Sequence, residues 1–392
     1  MRLHLGVSSE VITPALGLPL CGYGCDAPSD AVRDDLYVKA YVFSYGEARA
    51  LLIGADLLCF SNSLSDRLRK LCGEAADVPA SNVILSATHT HSGPDTVEDI
   101  DADYLENILI PRFVSAVGKA AAVARPVTMG VAAVDSNVGI NRREILAGDE
   151  VILGNNPWGT YDPEMTVVSF KGENGVTVGN IIHYGAHCTV SGSGTVITRD
   201  WAGVMADRLA TESGGAVTAF FNGAMGDVAP RSARGDSTAD ISHVPELGGL
   251  AGIDAVRAYR SIRRYCSEDM AVATDDVRIP YEVADGSAEP DPADFSYQLT
   301  VVRIGPVVFV PTPFEVFSQL SLRLRTYSPF GHTLILGCAN GFNMYLPSRD
   351  QLALGGYEVD SFRRWSLPDK LPDNTDSMVI NQSIKVVMGL CP

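Results

Sequence analysis

No run in this chain of 392 residues approaches the ~20 consecutive apolar residues that cross a bilayer, so no transmembrane helix is expected. The start also lacks the apolar stretch and cleavage site of a secretory leader. Met1-Arg2-Leu3-His4-Leu5-Gly6-Val7 runs straight into strand-like sequence, and a cytoplasmic location is expected. Basic residues are scarce: 30 against 47 acidic ones leave a net charge of −17. Such a chain gains nothing from counterion release, which argues against nucleic acid as a partner. Anionic membrane surfaces are disfavoured for the same reason. A disulfide framework is missing too. The eight cysteines are irregularly spaced, and several sit in apolar runs such as Leu57-Leu58-Cys59-Phe60. Cys21-x-x-x-Cys25 stands too isolated to read as half of a zinc ribbon. No interdomain linker is visible, so residues 1–392 are read as a single large domain.

What is present is one plan used three times: apolar strand, loop, helix, apolar strand. Ala50–Ala55, Ser63–Cys72 and Val83–Ala87 form the first unit, with Leu64, Leu68 and Leu71 on one helical face. Thr177–Ile182, Trp201–Thr211 and Ala216–Phe221 form the second. Pro306–Val310, Phe317–Tyr327 and His332–Gly337 form the third. Short apolar strands around amphipathic helices predict α/β sheets with helical covering layers. Asp103–Ala124 reads as a helix with a kink or break at Pro111. Arg231–Gly249 and Asp285–Phe295 read as long loops, and the first has the composition of a lid.

Residues of ligand type lie just past the strands of all three units, where loops converge in sheet proteins. The sharpest is Thr88-His89-Thr90-His91-Ser92-Gly93-Pro94. In extended chain, residues two apart point the same way, so His89 and His91 can face one site. With only seven histidines in the chain, that pairing suits a metal, or a metal ligand beside a general base. His183 and His187 follow the second unit's first strand, and only one of them need reach the site. Glu315 in Pro311-Thr312-Pro313-Phe314-Glu315 is a ligand or an ordinary helix-start carboxylate. Asn340-Gly341-Phe342-Asn343-Met344-Tyr345 reads as a shaped turn, and nothing in its pattern singles out Tyr345. Asp56, Asp200 and Asp227 also fall near these strand ends. Turn or cap chemistry is their plainer reading, and orientation of the histidines the alternative. Two histidines, a carboxylate and an open position would make a catalytic zinc site.

With these segments in place, the chain resembles the neutral and alkaline ceramidases and their bacterial relatives. The likeness runs from Gly6-Val7 to Tyr357-Glu358. Its strongest marks are Asn82–Pro94, Phe221–Pro230 and Ala339–Glu358; Asn141-Arg142-Arg143 and Asn155-Asn156-Pro157 are weaker ones. The resemblance implies two packed mixed β-sheets flanked by helices, an αββα-like domain. It implies one zinc ion per chain, held by His89, His187, Glu315 and Tyr345. It makes His91 the general acid/base, and Tyr357 a group that polarises a carbonyl or steadies an oxyanion. Arg142 matches the family's substrate-contacting arginine, with Arg143 its competitor. The implied reaction is cleavage of a linear amide by hydroxide that zinc makes available at neutral pH.

The chain departs from that pattern in two places. The family motif carries a serine where this sequence has Ala229, in Gly226-Asp227-Val228-Ala229-Pro230. Alanine cannot attack, so no serine nucleophile exists there, and the case for ceramide itself weakens. The family's added C-terminal β-sandwich domain has no counterpart before Pro392. A small soluble amide and a lipid-like amide both stay open as substrates. Two rival readings remain. One is a barrel-type amidohydrolase with both His89 and His91 on the metal. The other is a binding protein that kept the fold without catalysis.

Overall fold

A computed structural model of the chain describes residues 1–23, 27–148, 150–232, 239–282, 294–364 and 370–391. Its framework is an eight-stranded mixed sheet. The order across it is Val217–Asn222, Thr177–Tyr184, Glu164–Gly172, Arg125–Asp135, His4–Val11, Tyr37–Tyr45, Ala48–Ala55 and Val83–Ala87. A second sheet has the order Met270–Pro280, Asp294–Ile304, Val307–Pro311 and His332–Leu336. The sheets pack face to face. Tyr41, Phe43, Phe170 and Phe221 of the first join Val302, Val307, Phe309 and Leu334 of the second in one buried cluster. Strands covered on both faces need no alternation, which is why Val83–Ala87 and Val307–Pro311 are apolar or small almost throughout and buried at every position.

Helices cover the outer faces. Asn62–Ala76 and Ile110–Ala122 pack on one half of the large sheet. Asp200–Glu212 and Val244–Ser261 pack on the other half. Ser318–Tyr327 and Thr375–Met388 cover the four-stranded sheet. The architecture is the predicted αββα arrangement. An open mixed sheet of this kind is not a closed parallel barrel, so the barrel reading is overturned. All three strand–helix–strand units are real, and in each the two strands pair in parallel: Leu51 with Val83, Gly179 with Val217, and Val307 with His332. A parallel pair requires a crossover, which the intervening helix supplies.

The break expected at Pro111 takes the form of a π-helical turn, Leu105–Leu109, set between Ala102–Tyr104 and Ile110–Ala122. Proline has no N–H to give, so the turn ahead of it widens and the helix restarts with Pro111 in its first positions. The loop expected over Arg231–Gly249 is corrected in part. Residues 233–238 lie outside the described residues, but Val244–Ser261 is a helix with a proline at its start. Its glycines misled the reading. A Cβ on Gly248 would fall 2.5 Å from Val204 Cβ, and one on Gly252 would fall 2.6 Å from Arg208 Cδ. They allow a close helix crossing. Of the loop expected over Asp285–Phe295, residues 285–293 lie outside the described residues, and a strand is under way from Asp294. Cys25 also lies outside them. The seven described cysteines are free thiols. No described helix is long and apolar enough to cross a membrane.

Candidate metal centre

The three units deliver their strand ends to one place. Thr90 bridges Cys188 in parallel, which ties the loop after Val83–Ala87 to the loop after Thr177–Tyr184. The third unit contributes a two-stranded parallel ribbon in which Glu315 pairs with Tyr345 and Val316 with Leu346. His89, His91, His187, Glu315 and Tyr345 thereby meet. Ring centroids of His89 lie 4.9 Å from His91 and 4.8 Å from His187. The convergence of His89 and His91 does not come from extended chain. His89 has φ of 65°, a left-handed conformation uncommon for a side-chain-bearing residue. The kink turns its ring toward the partner histidines and lets its N–H bond the Leu57 carbonyl. Left-handed backbone recurs in the segment after the third unit, where Cys338, Asn340 and Met344 have φ of 48°, 60° and 57°.

Two of the histidines have their tautomer fixed. His89 Nδ1 lies 2.9 Å from the Leu58 carbonyl, and His187 Nδ1 lies 2.9 Å from the Met225 carbonyl. A carbonyl only accepts, so each Nδ1 carries the hydrogen and each Nε2 presents a lone pair; that of His187 also accepts from Arg142 Nη1 at 3.0 Å. Those lone pairs face a carboxylate: Glu315 Oε2 is 3.0 Å from His187 Nε2 and 3.5 Å from His89 Nε2. This buried oxygen receives no hydrogen bond. Burial pushes the His187 imidazole down to about 4, with the Arg142 charge adding to the effect, so at neutral pH it brings no proton to share. Electron-rich atoms assembled this closely, away from water, fit a cation. Nitrogens of His89, His91 and His187 lie within 4.8 Å of one another, as do the donor atoms of His89, Glu315 and Cys338.

His91 differs from the other two. Its Nε2 is 3.3 Å from His89 Nε2, but its buried Nδ1 has no partner. A metal-bound imidazole almost always donates its other ring N–H to an acceptor, and the Nδ1 atoms of His89 and His187 have such acceptors while that of His91 has none. His91 instead packs against Tyr23, with ring centroids 4.9 Å apart, and lines an open cleft.

That cleft, of about 430 Å³, runs from His89, His91, Glu315 and Tyr345 to the surface. Leu20, Leu58, Val97, Phe342 and Met344 give it an apolar wall, and Asp95, Glu98 and Asp99 an acidic rim. Tyr357, 51% exposed at the start of the helix Tyr357–Arg364, stands in the wall with its ring 5.6 Å from that of Tyr345. Arg142 is buried and does not line the cleft. It sits behind Tyr345 and donates to the phenol oxygen at 2.9 Å. Arg143 points elsewhere, to Gln351 and the Gly355 carbonyl.

The remaining candidates take structural places. His183 bonds the Ile335 carbonyl within the sandwich, which leaves His187 as the histidine of that pair at the site. Asp56 accepts from the Tyr37 N–H, Asp200 from those of Ser191 and Trp201, and Asp227 from Ser318. None of the three bonds a histidine; backbone carbonyls do that work. Ala229 is buried opposite Ile140 in the short strand Val228–Pro230. Sequence reasoning missed two residues. Cys338 places its sulfur 3.6 Å from His89 Nδ1, and its position after the strand His332–Leu336 was the available signal. Glu358, which accepts from both arginines, looks like any carboxylate in a first helical turn and gave no signal.

No family model matches this chain, and no curated protein matches its sequence. Solved structures do match. The neutral ceramidase of Pseudomonas aeruginosa superposes with a TM-score of 0.81 at 17% identity, over 100% of this chain and 74% of the ceramidase. A ceramidase complexed with C2 superposes with a TM-score of 0.82 at 17% identity, over 100% of this chain and 75% of that one. The chain therefore has the fold of the neutral ceramidases.

Proposed function

We propose that this chain is a hydrolase that holds one zinc ion per molecule and cleaves a linear amide. The observation that carries the reading is the convergence of two unprotonated imidazole nitrogens, of His89 and His187, on the unbonded carboxylate oxygen of Glu315. Tyr345 completes the donor set from the strand position facing Glu315. The likeness in fold to neutral ceramidases supports the same reading. When bound there, zinc supplies a Lewis acid and a source of hydroxide at neutral pH.

The chain's own residues account for the rest. His91, with no fixed partner on Nδ1, is free to take a proton from the nucleophilic water and return it to the leaving amine. Tyr357 stands in the cleft wall beside Tyr345, where its phenol O–H can stabilise a carbonyl oxygen that gains charge. The apolar wall accepts a hydrocarbon portion, so a lipid-like acyl chain or a small apolar group fits it, while the acidic rim disfavours an anionic substrate. Zinc analysis of the purified chain, followed by a screen of N-acyl amines for release of free amine, tests the reading. A protein that binds no zinc and releases no amine would leave the binding-protein alternative standing.

A further inference from the structure

One carboxylate holds two arginines that are adjacent in sequence. Glu358, 1% exposed, accepts from Arg142 Nε at 2.8 Å and from Arg143 Nη1 at 2.6 Å. Neighbours in a regular strand point to opposite faces, but the pairing of Gly139–Ile145 with Val151–Asn156 shifts register between Asn141 and Arg143. That irregularity re-aims the side chains, and both reach Glu358. Beyond it they diverge. Arg142 donates through Nη2 to the Tyr345 oxygen at 2.9 Å, and its Nη1 stands 3.0 Å from His187 Nε2. Arg143 gives its other nitrogens to Gln351 and Gly355, away from the cluster. The same buried anion thus holds one cation that reaches the metal centre and one that does not. Without it, a guanidinium would stand uncompensated beside the place a dication fits.

We propose that Glu358 is a positioning residue of the metal centre. Acting through Arg142, it fixes Tyr345 within the donor set and offsets part of the positive charge that would oppose the ion. This rests on the zinc reading above. Carboxylate partners behind metal ligands commonly raise affinity by about 10- to 100-fold.

The test is zinc affinity of the full chain, by competition with a chromogenic chelator, for wild type, Glu358→Gln and Arg143→Gln, with melting temperatures in parallel. Both substitutions break the same buried ion pair, so both lower the melting temperature. Glu358→Gln is expected to weaken zinc binding by about 10- to 100-fold, while Arg143→Gln stays within about threefold of wild type. Equal affinities in the two variants would mean that Glu358 serves only the fold, and would overturn the proposal. Should Glu358→Gln not fold, Arg142→Lys carries the test. Lysine keeps the charge but cannot span Glu358 and Tyr345 at once, so the same loss is expected. Wild-type affinity in Arg142→Lys would overturn the proposal. Absence of zinc from the wild type would instead overturn the metal reading itself, so the two failures are told apart.

Discussion

Glu315 and Tyr345 face one another across a two-stranded parallel ribbon, partners in register although thirty positions apart in the chain. The Glu315 N–H bonds the Met344 carbonyl at 2.7 Å, which locks that register. A slip of one residue in either strand would turn that strand's side chain away from His89 and His187. The donor set is therefore held by backbone pairing on one side and by carbonyl-anchored histidines on the other.

The contrast between anchored and unanchored imidazoles predicts different consequences of removing each. His91→Ala is expected to keep its zinc and lose amide turnover by about 100- to 10,000-fold, the usual contribution of a general acid/base. Metal content and rate, measured on the same sample, decide this. A variant that arrives without zinc would make His91 a ligand.

Gly248 gives a prediction about stability alone. A Cβ there meets Val204 Cβ at 2.5 Å and the Trp201 carbonyl at 2.7 Å, so the helices Val244–Ser261 and Asp200–Glu212 must move apart. Gly248→Ala is expected to cost about 1–3 kcal/mol despite alanine's better helix propensity. Urea unfolding measures it, and zinc content should not change.

Protonation of the buried histidines should oppose folding of the metal-free protein in acid, against the opposite contribution of Asp227, which burial raises to about 6. Burial lowers His183 and His187, the latter to about 4, so between there and an unfolded value near 6.5 the unfolded chain binds more protons than the folded one. The histidine contribution to stability then falls as pH drops through about 6.5 and continues to fall until the folded groups protonate. For His187 the full effect is about 3 kcal/mol. Urea midpoints of chelator-treated wild type and His187→Gln from pH 7 to pH 4.5 check the sign: the wild type should lose more stability toward acid than the variant, and an equal or smaller loss would contradict it.

Much of this architecture was legible in the sequence because burial on both faces forces continuous apolar strands. The units around Leu51–Ala55, Ile181–Ile182 and Val307–Val310 stood out for that reason. His89 just past one of those strands stood out as well, whereas the choice of His187 over His183 and of Glu315 as a ligand came through family likeness. The rest was hidden by physics that acts at a distance. Gly248 looks like a loop glycine until the opposing helix is in view. His89 reaches the site through a left-handed backbone that an alternation rule cannot anticipate. Glu358 takes its role from two arginines more than two hundred positions away, brought to it by an irregular strand pairing. Tyr345 was accessible only through family likeness, because a tyrosine inside a turn carries no pattern of its own.

The most direct test of the central claim is elemental analysis of the purified chain beside its His187→Ala variant. About one zinc per chain in the wild type, absent from the variant, is the predicted result. Full zinc in both, or none in the wild type even after zinc is supplied, would contradict a metal centre built on His89, His187, Glu315 and Tyr345.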